Sequence, residues 1–179
     1  RFTLTAFAAQ GRDIKLSPER IEGYRNFANK IWNASRFVFM NLEEGFTPNP
    51  EFVNEYSTPA DKWIVSRLQT VIKEVSSALT EYRFNDVASS LYQFIWHEYC
   101  DWYVELSKGA LKSHNPSVRK ATQTALVVTL ETTLRLLHPI MPFITEEIWQ
   151  KLPVGTRGTA SSIMISPFPK ADEKLFNVE

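Results

Sequence analysis

Residues 17–41 read SPERIEGYRNFANKIWNASRFVFMN. Ser17 followed by Pro18 is a helix start, with serine as N-cap and proline at the first helical position. Wound at about 100° per residue, the stretch divides into two faces. Ile21, Tyr24, Phe27, Ala28, Ile31, Ala34, Val38 and Phe39 fall on one, with Trp32 at its border. Glu22, Arg25, Asn26, Asn29, Lys30, Asn33 and Arg36 fall on the other, and Phe37 sits among them on the side away from the expected core. This predicts a long amphipathic helix to about Asn41, packed through one face.

The same cap-then-proline signal recurs downstream. Thr58-Pro59, with Asp61 at the third helical position, opens a helix expected to reach about Glu81. Asn115-Pro116 opens another, ending near Leu137 before His138-Pro139. Between them Asn85 can cap a helix from about Asp86 to Ser107, closed near Gly109 and dense in aromatics. Residues 1–10 read as the end of a helix stopped by Gly11. Met141-Pro142 to Lys151 reads as a short final helix. Ser162 to Pro167 alternates like a strand, and the last ten residues read as a frayed terminus or linker.

The fold class is therefore all-α: an antiparallel bundle of four long helices plus a short C-terminal appendage. The expected organisation is a bundle domain over 1–151, whose first residues are the tail of a preceding connecting helix, and an appendage over 152–179. Phe27, Ile31, Trp63, Leu68, Tyr92, Trp96, Leu126 and Leu134 form the expected core.

Composition narrows the function classes. Of 179 residues 44% are hydrophobic and 13% aromatic, which excludes a disordered chain. Net charge is zero, which argues against a wholly electrostatic nucleic-acid binder. Residues 1–41 nevertheless carry seven Lys/Arg against three acids, a basic quarter hidden in a neutral average. One cysteine rules out an intrachain disulfide and fits a reducing, cytoplasmic setting. No 18-residue apolar run occurs, so no membrane span is expected. The start at Arg1, without an initiator methionine, suggests a piece of something longer.

Catalytic signatures are missing: no glycine-rich phosphate loop, no G-x-S-x-G and no H-E-x-x-H. In His97-Glu98-Tyr99-Cys100-Asp101, helical spacing aligns His97 only with Cys100 and Asp101, so no metal site is expected. Thr145-Glu146-Glu147 reads as helix-terminal capping. Lys108, Lys112, His114, Arg119 and Lys120 read as a solvated loop or a secondary phosphate contact. The first long helix is different. Asparagine is a poor helix former, and three on one face carry a propensity cost. Asn and Arg with a nearby aromatic are the side chains that hydrogen-bond base edges and stack on bases.

Those residues carry a resemblance. Gly11-Arg12-Asp13-Ile14, then Gly23-Tyr24-Arg25-Asn26-Phe27-Ala28-Asn29-Lys30-Ile31-Trp32-Asn33-Ala34-Ser35-Arg36-Phe37, resemble the helical anticodon-binding domain of valyl-tRNA synthetases. Asp61-Lys62-Trp63-Ile64, Tyr82-Arg83-Phe84-Asn85, residues 96–105 (WHEYCDWYVE) and Leu137-His138-Pro139-Ile140-Met141-Pro142-Phe143 are similar to that domain across the isoleucine, leucine and valine group of class I synthetases. The resemblance covers nearly the whole chain, and the Asn-Lys-x-x-Asn-Ala-x-Arg-Phe run favours valine. It implies a parent enzyme that activates valine with ATP and esterifies tRNA. The His-Ile-Gly-His and Lys-Met-Ser-Lys-Ser motifs are absent here, so the resemblance implies a piece without catalytic residues or cofactor, partnered by valine tRNA and by the catalytic domain of the same chain. Its implied job is to bind an anticodon whose second and third bases are A and C. Asn29, Lys30, Asn33, Arg36 and Phe37 are the expected contacts, with Arg12, Lys15, Arg25 and Asn26 as additional ones. Alternatives are the same domain of an isoleucyl enzyme, or a helical protein-interaction module.

Overall fold

The computed structural model describes residues 1–8, 17–48, 53 and 55–176. The expected stop at Gly11 lies outside them. The described residues form helices α1 (Phe2–Phe7), α2 (Pro18–Met40), α3 (Pro59–Thr80), α4 (Phe84–Tyr92), a π-helical segment (Gln93–Tyr103), α5 (Val104–Leu111), α6 (Pro116–Leu137), α7 (Pro142–Trp149) and α8 (Val154–Arg157). α4, the π segment and α5 run without a break, so together they make one rod beside three other long helices.

The caps work as the residue types dictate. The Ser17 hydroxyl accepts the Arg20 N–H at 3.4 Å. Thr58 and Asp61 form a reciprocal capping box, and the Asn115 side chain accepts the Ser117 N–H at 3.0 Å. The rod starts differently from expectation. Its N-cap is Arg83, and Asn85 lies inside the first turn. The reason is the tight exit from α3. Arg83 N–H donates to Ala78 O and Tyr82 N–H to Leu79 O, with Tyr82 left-handed at φ 58°. That pairing is a Schellman closure, and it places the next helix three residues on.

Contacts along the rod define direction. Asp61 meets Tyr103, Arg67 meets Glu98 and Glu74 meets Ser90, so α3 runs antiparallel to the rod. α6 does the same, joined through the short connector 112–115 and by Tyr99 O–H donating to Leu126 O at 3.0 Å. α2 runs parallel to the rod: Phe27 stacks on Trp96, Lys30 meets Asp101 and Phe37 meets Lys108. Helices adjacent in sequence therefore alternate up and down.

One apolar cluster threads all the long helices, with Phe27, Ile64, Leu91, Phe94, Leu126, Leu134 and Trp149 fully inside. Tyr92 and Trp96 pack against it as half-buried rings. Trp63 does not belong to it and is 38% exposed, contrary to expectation. It lies about a third of a turn off the line of Ile64, Leu68, Val71 and Val75, so the bundle turns it outward.

The C-terminal part also departs from expectation. Ser162 to Pro167 is no strand: Ile163–Ile165 is one 3₁₀ turn, with the Ser162 hydroxyl accepting the Met164 N–H. No sheet edge is offered among the described residues. Instead Glu146 accepts the Ser162 hydroxyl and the Ile163 N–H at 2.9 and 3.2 Å. Glu146 thus anchors the tail and does not cap its own helix. Thr145 donates to the carbonyl of Met141, the residue before α7, at 2.8 Å. Residues 170–176 are not frayed. Arg135 donates to Pro167 O, Asp172 N–H donates to Gln69 Oε1, and Lys73 pairs with Glu173 while lying 4.1 Å over the Phe176 ring.

Candidate nucleic-acid interface

α2 shows why its odd polar face exists. Phe27, Ile31, Ala34 and Val38 are buried along one line. Diametrically opposite, Glu22, Arg25, Asn26, Asn29, Asn33, Arg36 and Met40 are exposed along another. Arg25 is held by Glu22 at 2.8 Å. Asn26, Asn29, Asn33 and Arg36 make no side-chain hydrogen bond or ion pair with the described residues, so three amides and a guanidinium face outward with their donors and acceptors available.

The two flanks of this stripe are aromatic. On the rod side Phe37 is half-buried against the core, with the Lys108 ammonium 5.9 Å from its ring centre. Phe37 does not point away from the core, as the helical wheel alone suggested; the rod fills the space beside it. On the other side Trp32 lies under Lys151, whose ammonium is 5.0 Å from the ring and also paired with Glu147. Lys151 carried no signal in the sequence beyond an ordinary helix position. It comes to the stripe only because α7 packs against α2.

Lys30 sits at the seam with the rod. Its ammonium donates to Asp101 Oδ1 at 2.5 Å and lies 5.1 Å from the Trp96 ring centre. His97 Nδ1 is 3.5 Å from the other Asp101 oxygen. Cys100 is buried, and burial pushes its thiol up to about 12, against the opposing pull of Lys30. Such a thiol is a poor nucleophile and metal ligand. Among the described residues no three of His, Cys, Asp and Glu converge on a metal-sized space. Arg12 and Lys15 lie outside the described residues.

The second basic group disperses. Lys108 is held by Glu105, while Arg119 donates to Ser113 O and lies 3.8 Å from Glu43. No described helix is long and apolar enough to cross a membrane.

A stripe of free amides and a guanidinium framed by rings fits unstacked nucleobases and phosphate oxygens. Comparison with known proteins points the same way. Residues 61–179 match the family model described as the anticodon-binding domain of tRNA ligase. The chain belongs to that family. Relatives extend the match over α2. A valine–tRNA ligase of Pseudothermotoga lettingae is 53% identical over 179 residues, all of this chain and 20% of that protein. Those of Syntrophotalea carbinolica and Thermotoga maritima are 55% and 49% identical over 97% and 99% of this chain, each match spanning 19% of the relative. This anticodon-binding domain thus spans about a fifth of the length of the relatives it matches. Its fold is that of a solved chain in the ternary complex of Agrobacterium radiobacter K84 LeuRS with tRNA and LeuAMS. The two share 20% identity at a TM-score of 0.66, over 98% of this chain and 19% of that one.

Proposed function

We propose that this chain binds the anticodon loop of valine tRNA, as one domain of a longer valine–tRNA ligase acting in the cytoplasm. In this reading ATP and the catalytic residues belong to the rest of the longer protein. The observation that carries it is the exposed α2 stripe, whose amides and guanidinium have no partner among the described residues. High identity to valine–tRNA ligases across α2 supports the choice of amino acid.

Asn29 and Asn33, one turn apart, present amides that can pair bidentately with adenine. Arg36 takes a phosphate or a base acceptor. Phe37 offers a ring edge to an unstacked base, a contact worth roughly 1–3 kcal/mol. Lys30 supplies positive charge at the seam while Asp101 holds it in place. Arg25 and Asn26 extend the stripe toward the start of α2.

Filter binding with purified valine tRNA tests this. Asn33→Ala, Arg36→Ala and Phe37→Ala are expected to weaken binding. Arg36→Ala should also reduce the slope of log affinity against log salt by about 1. Unchanged affinity in all three overturns the assignment. Equal affinity for isoleucine tRNA overturns the choice of valine.

A further inference from the structure

The end of the bundle where α2 begins carries an apolar face that meets the proposed RNA stripe only at Arg25. Two adjoining hollows lie there. One, of about 470 Å³, is lined by Ile21, Ile140, Met141 and Phe143, and the other, of about 670 Å³, by Leu4, Leu79, Phe84 and Ile140. Arg1 lines both, and its guanidinium lies 5.7 Å from the Phe143 ring centre. The large side chains around them are open to solvent: Phe143 is 80% exposed, Leu4 51% and Ile21 47%. Tyr82, exposed and left-handed, sits edge-on to Phe84 at the same rim. No carboxylate lines either hollow. A continuous exposed patch of aliphatic and aromatic residues with two arginines, Arg1 and Arg25, has the composition of an interface centre.

We infer that this face docks the part of the longer ligase that precedes Arg1, which covers the two hollows with apolar side chains. Two observations select that occupant. About four-fifths of each matched relative lies outside this chain. And the chain enters at this face, since Arg1 lines both hollows and Phe2 is anchored between Tyr24 and Phe27, so whatever precedes Arg1 emerges against the patch. Interfaces between domains of one chain form over such patches. The docked body would then meet the start of α2, while the stripe from Asn26 to Arg36 extends away from it along the same rigid helix. The inference rests on the reading of the chain as one domain of a longer ligase, and not on which residues touch RNA.

Maleimide labelling of the full-length ligase without tRNA tests it, read peptide by peptide by mass spectrometry. Phe143→Cys is compared with Met40→Cys and Met164→Cys, which replace residues 79% and 75% exposed that line neither hollow. From the domain alone the three sites should react alike. Docking predicts that position 143 reacts at least about tenfold more slowly than both controls. Leu4→Cys, on the second hollow, is expected to follow position 143. Equal rates at 143 and the controls overturn the inference. So does protection at 143 that disappears on dilution, which would make the occupant a second copy. Protection at 143 together with unchanged tRNA affinity of Asn33→Ala would leave docking standing and remove the proposed RNA contacts instead.

Discussion

Asp61→Ala is expected to be among the most damaging single changes in the bundle. The carboxylate is 1% exposed and accepts four hydrogen bonds. Thr58 donates its N–H and its hydroxyl at 2.8 Å each, Tyr103 its hydroxyl at 2.6 Å and Thr122 its hydroxyl at 2.9 Å. Burial, and then the adjacent Asp61 charge, hold the Tyr103 phenol well above its ordinary range, so it remains a donor. Alanine strands two fully buried hydroxyls and opens the capping box of α3. A bond to a charged group contributes about 1.5–3 kcal/mol, and a cap about 1. Release of the carboxylate's own desolvation cost offsets part of this, leaving a loss of about 3–5 kcal/mol. For a chain of this size that lowers Tm by roughly 10 °C. Asp61→Asn keeps the shape and one acceptor, and Tyr103 can turn to accept from the new amide, so its cost should be about 1–2 kcal/mol. The assay is urea and thermal unfolding of both variants, of Tyr103→Phe and of the Asp61→Ala/Tyr103→Phe pair. The cycle should show coupling of about 1–3 kcal/mol. A loss under about 1 kcal/mol for alanine, or additive behaviour in the cycle, would refute the reasoning.

Trp149→Ala, which removes a fully buried ring and the Nε1–H bond to Glu131, should cost about 3–5 kcal/mol, whereas Trp63→Ala should cost about 1–2; similar unfolding midpoints for the two would contradict the core assignment. Burial lowers the His138 pKa below its ordinary 6.5, opposed by Glu146, and Nδ1 meets the Thr145 hydroxyl at 2.8 Å. The unfolded chain therefore binds the proton more readily, so this contribution to stability is complete above 6.5 and falls as pH drops toward the lower folded value. His138→Gln should flatten urea midpoints between about pH 7 and 5, and an unchanged slope would assign that dependence elsewhere. Cys100 should resist a disulfide reagent at about pH 8 in the native chain and react on unfolding; rapid native labelling would show that the rod opens there.

The local rules of the chain were readable at the three cap-then-proline helix starts. Ser17-Pro18, Thr58-Pro59 and Asn115-Pro116 begin α2, α3 and α6 as read, because each cap satisfies N–H groups two or three residues ahead. The Arg83 start of the rod escaped that logic, since it depends on how α3 ends and not on Asn85. Likewise the alternation at 162–167 reads as a strand until Glu146, on α7, takes the Ser162 hydroxyl and the Ile163 N–H.

By itself the amino-acid sequence determined the all-helical class, three helix starts, the apolar line of α2 and the existence of its amide-rich face. Periodicity and capping are properties of neighbouring residues on one helix. Tertiary structure alone decided what lies beside that face. It turned Phe37 inward under Lys108, brought Lys151 over Trp32, pinned Lys30 with Asp101 and sent Trp63 outward. Each of those outcomes depends on which helix packs against which and at what rotation. Pairs separated by tens of residues meet only when the common core is closed, and no single-helix pattern encodes that meeting.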